Sequence, residues 1–203
     1  MPKHILLATT NRTKESKLRW ALQGLDLDLV TPAEAKLAVD VEENGATHRA
    51  NAVSKAEAWS RAYGGIAIAT DGGAIIPALG DRWNSLRTRR FAGEDADDRA
   101  RVEALLRLMA LYEGDARRVF WHEAVAAAEN GRVLEAWEAE GGQGVIARDF
   151  DPRRVNPGFW VATVWLYPSL GKRYVECTEE ELARAGDPWV ALRERLQAYF
   201  RQA

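Results

Sequence analysis

KHILLATTNRTKESKLRWALQGL, residues 3–25, is the stretch against which the rest of the chain is read. Residues 3–8 form a short apolar run, TTNRTK at 9–14 is polar, and Leu18, Ala21, Leu22 and Leu25 then recur at helical spacing. The stretch therefore reads as strand, loop and helix, with Gly24 as the helix punctuation. Working outward, LDLDLV at 25–30 alternates as a half-buried strand does, and Pro32 stops it. A turn at Asn44-Gly45 precedes a candidate helix from about Thr47 to Tyr63, which Gly64-Gly65 ends. IAIATDGGAII at 66–76 is an apolar run that meets a carboxylate and two glycines, read as a strand end. A polar loop, DRWNSLRTRRFAGEDADDRA, leads to a helix over 99–111, and RRVFWHEAVAAAENGRVLEAWEAEG reads as two strands joined at Asn130-Gly131. A third strand is expected over 159–167, and a helix from about Pro188 to Phe200 follows the acidic stretch TEEELARAGDPW.

Length and composition bound the possibilities. The 203 residues are 47% apolar, enough for one folded unit over 1–203 with a substantial core. One cysteine, Cys177, forms no internal disulfide, and neither a signal-peptide core nor an apolar run near 18 residues is present. A cytoplasmic protein with no membrane association is expected. A net charge of −2 opposes a broad basic face, so no stable nucleic-acid complex is expected. There are 22 arginines against six lysines, and eight tryptophans, whose plain reading is core and interface packing.

Two groups of residues could carry chemistry. Thr9, Thr10, Asn11, Arg12, Thr13 and Lys14 place short polar side chains and two cations at a helix N-terminus, which suits phosphate. A loop that only caps the helix fits the same residues. Glu42, Glu43 and Asp71 form an acidic set, and a carboxylate on an apolar strand costs desolvation energy unless cations or donors compensate. Two or three such oxygens can hold Mg²⁺, which completes its shell with water and substrate phosphates. Solvated glutamates and a turn-forming Asp71 fit equally. His4, His48 and His122 lack metal-ligand spacing, and the arginines at 82, 87, 89 and 90 read either as a phosphate grip or as a solvated loop.

These motifs resemble the inosine triphosphate pyrophosphatase family, whose members hydrolyse non-canonical purine nucleoside triphosphates to monophosphate and pyrophosphate. ILLATTNRTKESKLRWAL is similar to that family's strand, Thr/Ser-x-Asn-x-x-Lys loop and helix, and so implies phosphate contacts for Thr9, Asn11 and Lys14. VEENGATHRANAVSKAEAW resembles its E-x-G-x-T and N-A-x-x-K-A patterns, implying Glu43 as a metal-linked carboxylate, Asn51 as a supporting residue and Lys55 as a phosphate contact. IAIATDGGAIIPALG resembles its Asp-Asp-Ser-Gly segment with Thr70 in the first aspartate's place and Asp71 in the second's, the family's candidate general base. Arg89, Phe91, Ala92, Gly93 and Glu94 follow its S-A-R-Y-A-G-E rhythm. Further on, the family's Gly-Phe-Gly-Tyr-Asp is Gly158-Phe159-Trp160-Val161-Ala162, its Gly-Lys persists as Gly171-Lys172, and its Ser-His-Arg falls on Gly186-Asp187-Pro188.

The resemblance implies an α/β fold with a long central mixed β-sheet, flanking helices and two lobes around a central cleft. It implies a Mg²⁺-dependent enzyme acting on a nucleoside triphosphate. Asp71 and Glu43 are its catalytic and metal residues, and Thr9, Asn11, Lys14, Lys55, Phe159 and Lys172 contact substrate. A homodimer is implied as well. Loss of the polar base readers at 160–162 and 186–188 implies altered or relaxed base preference, since discrimination rests on polar groups left unpaired by the wrong base. The alternative is a weakened or inactive nucleotide-binding protein on the same fold.

Overall fold

The structure, a computed structural model, describes residues 3–93 and 95–202, and only the backbone of Arg89. Glu94 and the Arg89 side chain, both expected in the family-like segment, lie outside what is described. Strands β1 (Lys3–Leu7), β2 (Leu27–Val30), β3 (Ile66–Ile75), β4 (Arg118–Glu129), β5 (Arg132–Ile146), β6 (Trp165–Tyr167) and β7 (Lys172–Arg173) form one sheet in the order β2-β1-β3-β4-β5-β6-β7. β1 pairs in parallel with β2 and β3, whereas β6 is antiparallel to β5 and β7. Five helices accompany the sheet among the described residues: α1 (Arg12–Leu22), α2 (His48–Tyr63), α3 (Asp98–Leu108), α4 (Glu179–Arg184) and α5 (Pro188–Gln202). The expected mixed α/β architecture is present.

The chain divides into two compact units. The first comprises the residues up to Gly72, Glu123–Ala139 and the residues from Pro188 on. Its strands bury both faces, because side chains alternate along each strand and helices supply apolar stripes on either side. Ile5, Leu7, Ile68, Val125 and Ala127 pack with Leu18 and Leu22 of α1 and with Trp189, Leu192, Leu196 and Phe200 of α5. On the other face Leu6, Ala67, Ala69, Ala124 and Ala126 pack with Ala52, Ala56 and Trp59 of α2. Alanines recur there because α2 lies close against the strands. Each fully buried leucine or isoleucine contributes roughly 1.5–3 kcal/mol. α1 and α5 are further joined by the Arg193 guanidinium, 4.6 Å from the Trp20 ring centroid and donating to the Trp20 carbonyl at 2.9 Å.

The expected hairpin is observed. Asn130 (φ 51°) and Gly131 (φ 83°) are both left-handed, the pairing a two-residue type I′ turn requires. The tip is docked on the end of α2, with the Gly131 amide donating to Ser60 Oγ at 3.0 Å and the Asn130 amide to the Gly65 carbonyl at 3.2 Å.

The second unit comprises Gly73–His122 and Glu140–Asp187. Its core gathers Ala74, Leu79, Trp83, Val102, Leu105, Met109, Ile146, Trp160, Val164, Trp165 and Tyr167. Buried Arg117 ties the unit's segments together by donating to the carbonyls of Met109, Tyr112, Ile146 and Ala147.

Several expectations are corrected. The first strand after α1 begins at Leu27, and the helix expected over 99–111 spans Asp98–Leu108. The stretch expected to be a polar loop from Asp81 takes in the end of one 3-10 segment, Pro77–Arg82, and the whole of another, Ser85–Arg90. The expected strand over 159–167 is strand only at Trp165–Tyr167. Trp160–Val164 is a 3-10 turn whose five residues are all buried, which an extended strand with one solvated face would not allow. The acidic stretch before Pro188 holds α4, whose Thr178 and Glu181 form a reciprocal capping box. Five of the eight tryptophans are buried and three, Trp20, Trp121 and Trp137, are half-buried, in keeping with core packing.

Candidate active site

The site is built within the first unit, where β1 stops at Leu7 and β3 continues to Ile75. Position 71 is not a strand end, as expected, but lies inside β3, and Asp71 is only 6% exposed. Ala69 belongs to the cluster under α2, so pleat alternation turns Asp71 toward α2 as well. There it meets a polar stripe: His48, Asn51 and Lys55, spaced i, i+3 and i+7, share one helical face.

His48 Nδ1 pairs with Asp71 Oδ2 at 2.8 Å, and Asn51 Nδ2 donates to the same oxygen at 3.3 Å. Lys55 Nζ donates to Oδ1 at 2.9 Å, with Lys14 Nζ 4.0 Å from that oxygen. Lys14 Nζ also donates to the Thr70 carbonyl at 3.4 Å. Glu43 enters from the loop before α2 and places Oε1 2.7 Å from Lys55 Nζ, so one ammonium joins the two carboxylates. The loop is held by the Gly45 amide, which donates to Asn51 Oδ1 at 2.8 Å. A Cβ at position 45 would fall 2.6 Å from that oxygen, which accounts for the glycine.

The electrostatics follow from this geometry. Burial would push the Asp71 carboxyl up, but the His48 contact and the Lys14 and Lys55 charges outweigh it and hold the group well below its ordinary 3.8. Burial would likewise pull Lys55 down, and Asp71 and Glu43 outweigh it, raising the ammonium above its ordinary 10.5. At 4.0 Å a pair of unit charges attracts by about 4 kcal/mol at an effective dielectric of about 20, comparable with the several kcal/mol that desolvating an ion costs.

The phosphate-loop residues have roles of their own. Asn11 caps α1, its Oδ1 accepting from the amides of Thr13 at 2.9 Å and Lys14 at 3.3 Å, while Thr9 Oγ1 accepts from the Asn11 amide at 3.1 Å. The capping reading thus holds for Asn11, and the cap presents Lys14 in the first turn. Phe159 and Lys172 belong to the second unit. Phe159 packs edge-on between Trp121 and Tyr174, with ring centroids 4.8 and 5.1 Å away, and Lys172 Nζ is paired with Glu181 Oε1 at 2.6 Å. Glu42 is exposed and accepts from Asn44. Two residues escaped the sequence reading: His48, which contacts Asp71, and Glu123 of β4, 2% exposed, to which the Thr70 hydroxyl donates. The i, i+3, i+7 spacing with Asn51 and Lys55 is the signal that would have found His48. Glu123 has none in its local pattern.

The donor set suits Mg²⁺ on chemical grounds. Glu43 and Asp71 are hard oxygen donors of the kind Mg²⁺ takes, and both now meet the Lys55 ammonium, which an entering cation would displace from them. Among the described residues no group of three or more His, Cys, Asp or Glu side chains could hold a metal. A cation here would draw the rest of its shell from water and a phosphate ligand.

Comparison with known proteins agrees with the motifs. The chain is 34% identical over 181 residues to a dITP/XTP pyrophosphatase of Geobacillus kaustophilus, covering 88% of this chain and 85% of that one. It is 33% identical over 195 residues to a dITP/XTP pyrophosphatase of Thermus thermophilus, covering 96% and 91%. Among solved structures, a HAM1 protein from Coxiella burnetii superposes with a TM-score of 0.81 at 26% identity, covering 99% of this chain and 100% of that one. The Staphylococcus aureus Ham1 protein gives 0.77 at 25% identity, covering 98% and 99%. With residues 5–186 also matching the family's own sequence pattern, the chain belongs to the Ham1 family.

Proposed function

We propose that the protein is a metal-dependent nucleoside triphosphate pyrophosphatase, releasing monophosphate and pyrophosphate, with a base preference relaxed relative to its relatives. The observation that carries this reading is the charge cluster Lys14–Asp71–Lys55–Glu43, buried at Asp71 and exposed at Glu43, with Lys14 presented by the capped first turn of α1. A family fold kept for structure alone has no use for four charges gathered where three of the side chains are largely out of water.

Glu43 and Asp71 would hold Mg²⁺, which when bound offsets phosphate charge and polarises the oxygens it touches. Lys14, Lys55 and the helix N-terminus bind the polyphosphate, with Thr9 and Asn11 shaping the loop. A water oxygen bonds to one phosphorus of the α,β bridge, the bond from that phosphorus to the bridging oxygen breaks, and the bridging oxygen leaves with the other phosphorus, giving monophosphate and pyrophosphate. The water's proton goes to a carboxylate, with Asp71 assigned as base. In the ligand-free state Asp71 is a poor base because three partners stabilise its charge. Phosphates compete for two of those partners, Lys14 and Lys55, and would remove part of that stabilisation.

The relaxed base preference rests on the residues in the reader positions. Trp160 and Ala162 are buried apolar side chains in a 3-10 turn, and they offer no hydrogen-bonding group of the family's kind. A homodimer and a cytoplasmic location belong to the same reading through the family resemblance. The test is a panel of canonical and modified triphosphates assayed for pyrophosphate release with Mg²⁺ and with chelator. Metal-dependent release with less than about a hundredfold preference for inosine triphosphate over ATP and GTP is expected. Larger selectivity overturns the base claim, and nucleotide binding without release overturns the enzyme.

A further inference from the structure

Glu123 is a buried ionisable group that stands outside this mechanism. Glu123 of β4 is 2% exposed, yet glutamate is almost never fully buried unless paired. Its neighbours along the same row of β4, Val125 and Ala127, are apolar and belong to the cluster under α1 and α5. Packing alone would have placed another apolar residue at 123.

Its partner explains the choice. Thr70 is 2% exposed and follows Ile68 on the α1/α5 face of β3, so its side chain lies on the face opposite Asp71. There the Thr70 hydroxyl donates to Glu123 Oε1 from 53 residues away in sequence. The backbone of the same residue serves the site, since the Thr70 carbonyl accepts from Lys14 Nζ and the next residue is Asp71. Thr70 is thus gripped by Glu123 through its side chain and by Lys14 through its carbonyl.

We infer that Glu123 is a positioning residue for the active site, supplying from β4 the buried carboxylate for which the resembled pattern has an aspartate at position 70 of β3. The carboxylate has moved one strand sideways, with a hydroxyl left in its former place. Glu123 fixes Thr70, and through it the carbonyl that seats Lys14 and the strand segment that aims Asp71. Glu123 does not touch the substrate itself. This inference rests on the proposed pyrophosphatase reading. It also makes the threonine at 70 half of an exchanged pair.

The test exchanges the pair back. E123Q removes the charge at nearly constant volume, T70D sets two carboxylates against each other, and T70D/E123T moves the carboxylate to β3. Turnover with Mg²⁺-inosine triphosphate, calorimetric affinity for a non-hydrolysable triphosphate and the thermal midpoint are measured for each. E123Q and T70D are expected to lower kcat and triphosphate affinity by roughly 10–100-fold, as loss of an outer partner of a site does. The double variant is expected to recover to within about tenfold of the parent, a non-additivity that independent sites would not show. Parent-like turnover and affinity in E123Q, or a double variant as impaired as the product of the singles, overturns the inference. A thermal midpoint that falls in E123Q with both functional readouts intact also overturns it, leaving a structural pair. If the parent itself releases no pyrophosphate, the pyrophosphatase reading fails, and the affinity series still decides the role of Glu123.

Discussion

Asp71 concentrates the site's chemistry on two oxygens, each already engaged by donors. Asp71→Asn keeps the shape and removes the charge, and is expected to abolish pyrophosphate release while the far-ultraviolet circular dichroism stays native. Turnover at the parent rate would remove Asp71 from the mechanism. Lys14 is the cation presented by the α1 cap, so Lys14→Ala should weaken triphosphate binding more than monophosphate binding, compared by calorimetry at one ionic strength. Equal losses would mark Lys14 as structural. His48→Phe removes the contact that fixes Asp71 Oδ2, and a fall in kcat of roughly 10–100-fold is expected in steady-state assays as the carboxylate loses its orientation. Lys14, Glu43, Lys55 and Asp71 were legible because they stand in short motifs whose spacing survives in one dimension. His48 was missed because it stands outside the motif that carries Asn51 and Lys55, although it shares their helical face. Only the fold shows that it lies against a carboxylate 23 residues on.

At the scale of elements, the parts with strong local signals were read well. α2 begins after the capping Thr47, whose hydroxyl accepts from the Ala50 amide at 3.1 Å, and ends at Gly64. The β4–β5 hairpin followed from Asn-Gly, a pair whose left-handed preference is intrinsic. Gly131→Ala puts a Cβ at φ 83° and 2.8 Å from the Arg61 guanidinium, so a loss of roughly 1–2 kcal/mol is expected, read by chemical denaturation. An unchanged midpoint would show that the turn relaxes. The reading failed where tertiary burial decides. FWVATVWLY has the composition of a strand, but the core of the second unit takes Trp160–Val164 as a compact turn and leaves three residues for the sheet. The end of β3 was misplaced for a related reason, since the polar partners that let a strand run on through Asp71 come from a distant helix.

For the whole molecule, the site's charges make stability depend on pH in a definable window. Asp71 titrates below its ordinary 3.8 in the folded state, so its contribution is present above that pH and is lost as pH falls through the depressed value. Lys55 titrates above its ordinary 10.5, so its contribution is full below that pH and is lost as pH rises through the raised value. The two share one ion pair and count once. Thermal midpoints of the metal-free protein should therefore hold from about pH 4 to pH 10 as far as this pair is concerned, and Asp71→Asn should flatten the acid limb. An acid limb of unchanged steepness in the variant would assign acid lability to other carboxylates.

The Asn51 side chain joins two parts of the site through one rigid amide, accepting from the Gly45 amide and donating to Asp71. Because that amide is polarisable, a change of electron density at the Asp71 carboxylate is felt at its far end, and linked hydrogen bonds strengthen or weaken together. The Gly45 proton is therefore a built-in spectroscopic reporter, placed on the Glu43 loop and remote in bonding from the reacting atoms. In a nitrogen-edited NMR spectrum its resonance should move when Asp71 changes partner or charge, and it should stay still when a ligand binds elsewhere on the chain. The protein thus carries its own label for following what its buried Asp71 carboxylate is doing.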